Sequence, residues 1–304
     1  MAQSVDTKVS SRFHMMGEII ASRVDGMHDA PFGTWRFDLP GTRREAVAQL
    51  AEHWLSVDSA LGSLREFSLQ RIRRYLRRNP AMPDGARIVC ANDMQQTRYV
   101  LDIPAEGLPW ANRAELARIV SGAVDTVRAA TKAKSAPVDK PSGADLAADD
   151  VEQLFVEAKW PLQAGNDVSA CVPLDVPGHY IVADVAAEAA VIRLTVPVLA
   201  TEFPAAPQVC RDAITALVWF TASSTRMVRP DLQATGLSFT TATNAGPTAV
   251  GHACAALSVA LQRFIPEAGY LVADEDLALT YLSVIGLECG SVRSSRGRSS
   301  TVRG

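Results

Sequence analysis

RIVCANDMQQTRYVLDI, residues 87–103, is the stretch whose reading decides the fold class. Here the helical period gives way to one nearer 2: Arg87–Ala91 and Thr97–Ile103 read as two strands, and the polar run Asn92–Gln96 between them predicts a hairpin. Beyond Ile103 the period changes. Asn112 and Glu115 form an N-x-x-E capping pattern, and Leu116, Ile119, Val120, Ala123, Val124 and Val127 then make one apolar stripe at helical spacing. The same grammar returns downstream. Tyr180–Val185 and Ala190–Ala200 read as strands, and Pro207 opens a helix to about Ser223 with Val209, Cys210, Ala213, Ile214, Leu217 and Val218 in phase. Gly236–Thr243 reads as a further strand and Gly246–Phe264 as a further helix. The expected class is α+β: antiparallel hairpins and sheets covered by amphipathic helices, in two similar halves.

Working outward, residues 1–12 are polar and expected to be loose, His14–Val24 a short helix, and Pro31–Pro40 an extended connection. Arg43–Val57 reads as a helix with Val47, Leu50, Ala51, Trp54 and Leu55 on one face, and Val151–Lys159 as a short one. Tyr270–Val272 and Leu277–Leu287 are apolar and compatible with either helix or strand. Lys132–Ala148, with two prolines, one glycine and no periodicity, reads as a linker or long loop. The expected organisation is a basic half over 1–131, the linker 132–148, an acidic half over 149–288, and a disordered Ser/Arg/Gly tail over 289–304.

Arg65–Asn79, REFSLQRIRRYLRRN, holds six of the thirty basic residues. On a helical wheel Leu61, Leu64, Leu69, Ile72, Tyr75 and Leu76 share one side. Arg71, Arg73, Arg74, Arg77 and Arg78 share the other with Phe67, while Arg65 falls on the apolar side and must snorkel out. Guanidinium forks on one face suit phosphate oxygens, and Phe67 among them suits base stacking. Arg293, Arg296, Arg298 and Arg303 of the tail add a second basic segment. A docking surface for the acidic half of a neighbouring copy, a solvated face and an anionic membrane surface are the competing readings of the same helix.

Charge is unevenly spread. Residues 1–135 carry 19 basic and 15 acidic groups, residues 136–291 carry 7 and 18, and the last thirteen carry four arginines and no acid. Such a dipolar chain suits head-to-tail association or a polyanion held at one end. Five cysteines lie far apart with no C-x-x-C pair, which suits a reducing, cytoplasmic setting. No window offers the roughly 18–20 uninterrupted apolar residues of a membrane span.

Phosphate-loop, dinucleotide, nucleophile-elbow and zinc-ligand patterns are absent from the sequence, so no catalytic residue, metal or cofactor is expected. His252 and Cys254 are the only close His/Cys pair, but alternate residues of a helix point apart. The acidic runs Asp149-Asp150-Glu152 and Asp274-Glu275-Asp276 precede apolar segments and read as helix N-terminal charge. Ser223-Ser224-Thr225-Arg226 reads as a helix end with Arg226 on the last carbonyls.

The chain holds 47 alanines, 22 serines and 17 prolines. With its Ser/Arg tail, this composition resembles the proline-alanine-serine-rich proteins of polymycoviruses, which associate with and coat genomic double-stranded RNA. The hairpin-then-helix pattern is also similar to small α+β secretion-chaperone folds, here in tandem. The first resemblance implies a non-enzymatic, self-associating protein that binds RNA backbone without sequence readout. The second implies a protein-binding adaptor. An enzyme whose site residues are dispersed in sequence is a third class.

Overall fold

The hairpin forms as expected, with strands at Ala86–Cys90 (β4) and Gln96–Pro104 (β5) paired antiparallel through Ile88 opposite Tyr99. A computed structural model describes residues 2–28, 31, 33–51, 53–63, 68–90, 96–132, 147–163, 169–173, 180–188, 191–200, 202–233 and 236–287. The hairpin turn, Phe67, most of the linker and the tail arginines lie outside these residues.

Ahead of the hairpin come helix α1 (Ala2–Ala21), strands β1 (Thr34–Asp38), β2 (Glu45–Leu50) and β3 (Trp54–Ser63), and helix α2 (Leu69–Arg78); helix α3 (Arg113–Lys132) comes after it. Two expectations are corrected here. Residues 2–12 belong to α1, whose Met16, Ile19 and Ile20 are fully buried. Within 43–57 lie β2 and the start of β3, not a helix. Ala46, Ala48 and Leu50 of β2 and Leu55 and Val57 of β3 alternate inward, and the small alanines satisfy period 2 as well as 3.6. Leu61 falls in β3, and α2 begins only at Leu69, where the Ser68 hydroxyl accepts the backbone N–H of Arg71.

The capping pattern ahead of α3 is present: Asn112 Oδ1 accepts the Glu115 N–H at 3.1 Å. Asn112→Ala is expected to cost about 1 kcal/mol in urea denaturation followed by circular dichroism. The Glu115 carboxylate turns forward to Arg118 instead of back to the cap.

The second half comprises α4 (Ala148–Glu157), β6 (Leu162–Gln163), β7 (Ser169–Pro173), β8 (Tyr180–Glu188), β9 (Val191–Val198), a single turn α5 (Glu202–Ala205), α6 (Gln208–Ser224), β10 (Arg229–Gln233), β11 (Gly236–Asn244), α7 (Pro247–Ala273) and α8 (Glu275–Val284). The ambiguous segments 270–272 and 277–287 are thus largely helical. By length and composition α7 could cross a bilayer, but half of its apolar window is buried inside this fold.

Both sheets are antiparallel, ordered β1-β2-β3-β5-β4 and β6-β7-β8-β9-β11-β10. With β6, α5 and α8 set aside, each half reads helix, three strands, helix, two strands, helix, with one lateral strand order. The helices take equivalent places: α3 lies on β3 and β5 with α1 against it, and α7 lies on β11 and β9 with α4 against it. The fold is α+β and internally duplicated.

The halves meet reciprocally. Helix α2 packs on β10, α6 packs on β4, and the two helices pack on each other. Buried apolar residues from both sheets form one continuous core. The edge strand β4 is closed by side chains: Ile88 N–H donates to Asn79 Oδ1 at 3.2 Å, and Cys90 N–H to Ser223 Oγ at 2.9 Å. Asn79 also donates to the Pro230 carbonyl of β10 at 2.6 Å, so one buried amide ties the two sheet edges.

Candidate binding surfaces

Helix α2 points its arginines in different directions because it lies between a core and a second half. Ile72 and Leu76 are fully buried, and Tyr75 stacks on Trp219 of α6 with ring centroids 5.6 Å apart. Arg73 is drawn into the junction, where it pairs with Asp212 of α6. Arg78 lies over the Tyr99 ring at 5.4 Å and donates to the Ala130 carbonyl. Arg71 is half-buried, whereas Arg74 and Arg77 are exposed. The five arginines are therefore not one open face. Arg73 and Arg78 are engaged by the protein, and the exposed pair is Arg74 and Arg77, one turn apart. The partners Asp212 and Ala130 are too distant in sequence for local pattern to announce them.

The junction holds a buried polar network that sequence reasoning missed. Asp102 of β5 is 5% exposed and accepts from Arg87 at 2.6 Å, from the Ser56 hydroxyl at 2.7 Å and from Arg226 at 2.8 Å. Burial pushes the Asp102 carboxyl up, but Arg87, Ser56 and Arg226 together outweigh it and hold it below the usual carboxylate range. The other arm of Arg87 donates to the carbonyls of Ala222, Thr225 and Val228 at 2.6, 2.7 and 3.2 Å. The end of α6 is thus capped by an arginine from the other half, not by Arg226, which corrects the sequence expectation. Arg226 instead reaches Asp102 and lies over the Trp54 ring at 5.7 Å. A charged residue flanked by apolar ones within a strand, as Arg87 and Asp102 each are, was the available signal.

The acidic runs behave as helix N-terminal charge. Asp149 and Asp150 sit in the first turn of α4, and Asp274 caps α8 by accepting the Leu277 N–H at 3.0 Å. His252 faces Glu106 at 3.4 Å while Cys254 is fully buried on the other side of α7, where burial raises its thiol to about 12. No group of three or more His, Cys, Asp or Glu residues able to hold a metal occurs among the described residues.

The described residues line two clefts of note. The first, about 520 Å³, lies between α1 and the outer strand β1, with Phe13, Gly17, Ala21, Met27, Pro31 and Trp35 on its apolar walls. Gly17 lets the Trp35 ring approach α1 closely, since a Cβ there would stand 2.8 Å from the indole nitrogen. His14 and Glu18, paired at 3.1 Å, mark its polar rim. The second, about 460 Å³, lies among α6, α7, α8 and the end of β4.

No family model, no curated protein and no solved structure matches the chain.

Proposed function

We propose that the chain is a protein-binding adaptor, a secretion-chaperone-like module made of two fused, similar halves. The duplication carries this reading: the same order of elements and strands occurs twice, joined reciprocally by α2, β4, α6 and β10. That is the tandem arrangement implied by the hairpin-then-helix resemblance. The α1/β1 cleft supplies the surface. Met27 stands 43% exposed beside Trp35 at the outer strand of a sheet, where apolar side chains of an extended polypeptide find pockets. Such a partner would bind by burial of its apolar side chains, without chemistry.

A second reading keeps a specific observation of its own. Arg74 and Arg77 project outward one turn apart, and this pair suits phosphate contacts of the electrostatic, sequence-independent kind proposed for an RNA-coating protein. Its reach is narrower than five arginines would give, since log K changes with log salt in proportion to the phosphates neutralised.

One experiment separates them. Purified protein is panned against a library of displayed extended peptides, and titrated in parallel with double-stranded RNA at several salt concentrations. The adaptor reading expects apolar peptides to be enriched, with Met27→Asp weakening them about tenfold or more while the melting temperature holds. No enrichment, together with salt-dependent RNA binding lost in Arg74→Glu/Arg77→Glu, replaces it with RNA coating.

A further inference from the structure

The α6/α7/α8 cleft combines an apolar floor with charges that do not satisfy each other. Leu217 and Phe220 of α6 and Ile285 just beyond α8 form the floor, and Cys90 closes one end. Arg263 and Glu267, one turn apart on α7, stand at the rim with Tyr281 of α8. Arg263 uses Nη1 on the carbonyl and hydroxyl of Ser224, at 3.2 and 3.4 Å, which fixes the guanidinium and leaves its other edge open. Among the described residues no ion pair joins Arg263 to Glu267, although i,i+4 spacing favours one, and no hydrogen bond reaches the Glu267 carboxylate. Burial, and then Glu267, push the Tyr281 phenol up, so it stays neutral and able to donate.

The rim therefore offers an anchored cation, an unpaired carboxylate and a neutral hydroxyl above an apolar floor. A fatty acid would pair with Arg263 but set its carboxylate against Glu267. An apolar amine would do the reverse. A ligand carrying both charges on one carbon, with a large apolar group attached, meets both rim charges and the floor. We propose that this cleft binds a free α-amino acid with a large apolar side chain, of the phenylalanine or leucine class. Its carboxylate lies on the open edge of Arg263, its ammonium on Glu267, and its side chain on Leu217, Phe220 and Ile285. The volume of the cleft accommodates such a molecule. Selectivity arises from both charges, because a ligand lacking one leaves a rim group desolvated without a partner.

The test is calorimetric titration of the full chain with L-phenylalanine, N-acetyl-L-phenylalanine, L-phenylalaninamide and 3-phenylpropionate. Exposed Glu267 and Arg263 are each changed to Gln, with thermal melts confirming that both variants are folded. L-Phenylalanine is expected to saturate one site, and the three analogues, each lacking one head-group charge, to bind about tenfold or more weakly. Glu267→Gln should erase the gap between phenylalanine and its N-acetyl form, and Arg263→Gln the gap between phenylalanine and its amide. The proposal is overturned by absence of saturable binding up to about 20 mM. It is equally overturned by an analogue that matches phenylalanine, or by a gap that survives in its variant.

Discussion

Asp102→Ala is expected to remove about 3–5 kcal/mol of folding free energy, a large part of what a domain this size has. The Asp102 carboxylate is the acceptor for Arg87, whose side chain is 4% exposed, and for Arg226 and Ser56. Removing it strands a buried guanidinium without its counter-charge. Replacing both members, Asp102→Leu with Arg87→Met, removes the stranded charge but still leaves the Ala222, Thr225 and Val228 carbonyls without their donor. The double variant is expected to recover only part of the loss, remaining about 1–3 kcal/mol below the parent. Urea denaturation measures both, and a single variant within about 1 kcal/mol of the parent would refute the role given to the network. The pH dependence has a definite sign. The carboxyl of Asp102 is held below its unfolded value, so its contribution is complete at neutral pH and is lost as the pH falls through the lowered value. The Asp102→Ala variant should therefore show less loss of stability than the parent below about pH 4.

The second large effect is expected at Trp219. Its side chain is fully buried in α6 and stacks on Tyr75 of α2 at an interplanar angle of 27°, so it is packed from both halves. Trp219→Ala should cost about 3–5 kcal/mol through lost burial and the cavity left behind. Trp219→Phe should cost less than about 1.5 kcal/mol, because the indole N–H meets no acceptor among the described residues and its removal relieves an orphaned donor. A double-mutant cycle with Tyr75→Ala is expected to give about 0.5–1.5 kcal/mol of coupling. Zero coupling would mean that the rings merely share a boundary.

How far these features could be read in advance depended on how much of each signal was local. The hairpin β4–β5 and helices α3 and α6 were legible because apolar period and, for α3, a cap at Asn112 agreed. Residues 43–57 misled because Val47, Leu50, Ala51, Trp54 and Leu55 satisfy a helix while Ala46, Ala48 and Leu50 satisfy a strand. Pairing with β1 and β3 decided between them, and pairing is not written in the segment itself. Strand β10 was missed because Pro230, Arg229 and Asp231 look like a loop; Arg229 and Asp231 neutralise each other at 3.0 Å inside the fold. The arginine-rich helix was recognised, but the assignment of Arg73 and Arg78 to an open face failed for another reason. Their partners Asp212, Tyr99 and Ala130 become neighbours only when the chain has folded.

The duplication joined in one chain has a consequence for direction. An assembly of two identical subunits repeats every contact about its axis, so Arg73 on one helix would meet its own copy or require a second Asp212. Here α2 carries the arginine and α6 the aspartate, once each. Linkage also keeps the halves together at any dilution, since the local concentration of one for the other is set by the chain and not by the solution. The scaffold thus has the outline of a two-fold object without its equivalence. Any elongated partner lying across both halves meets one half of net basic and one of net acidic sequence, so its two orientations differ in energy.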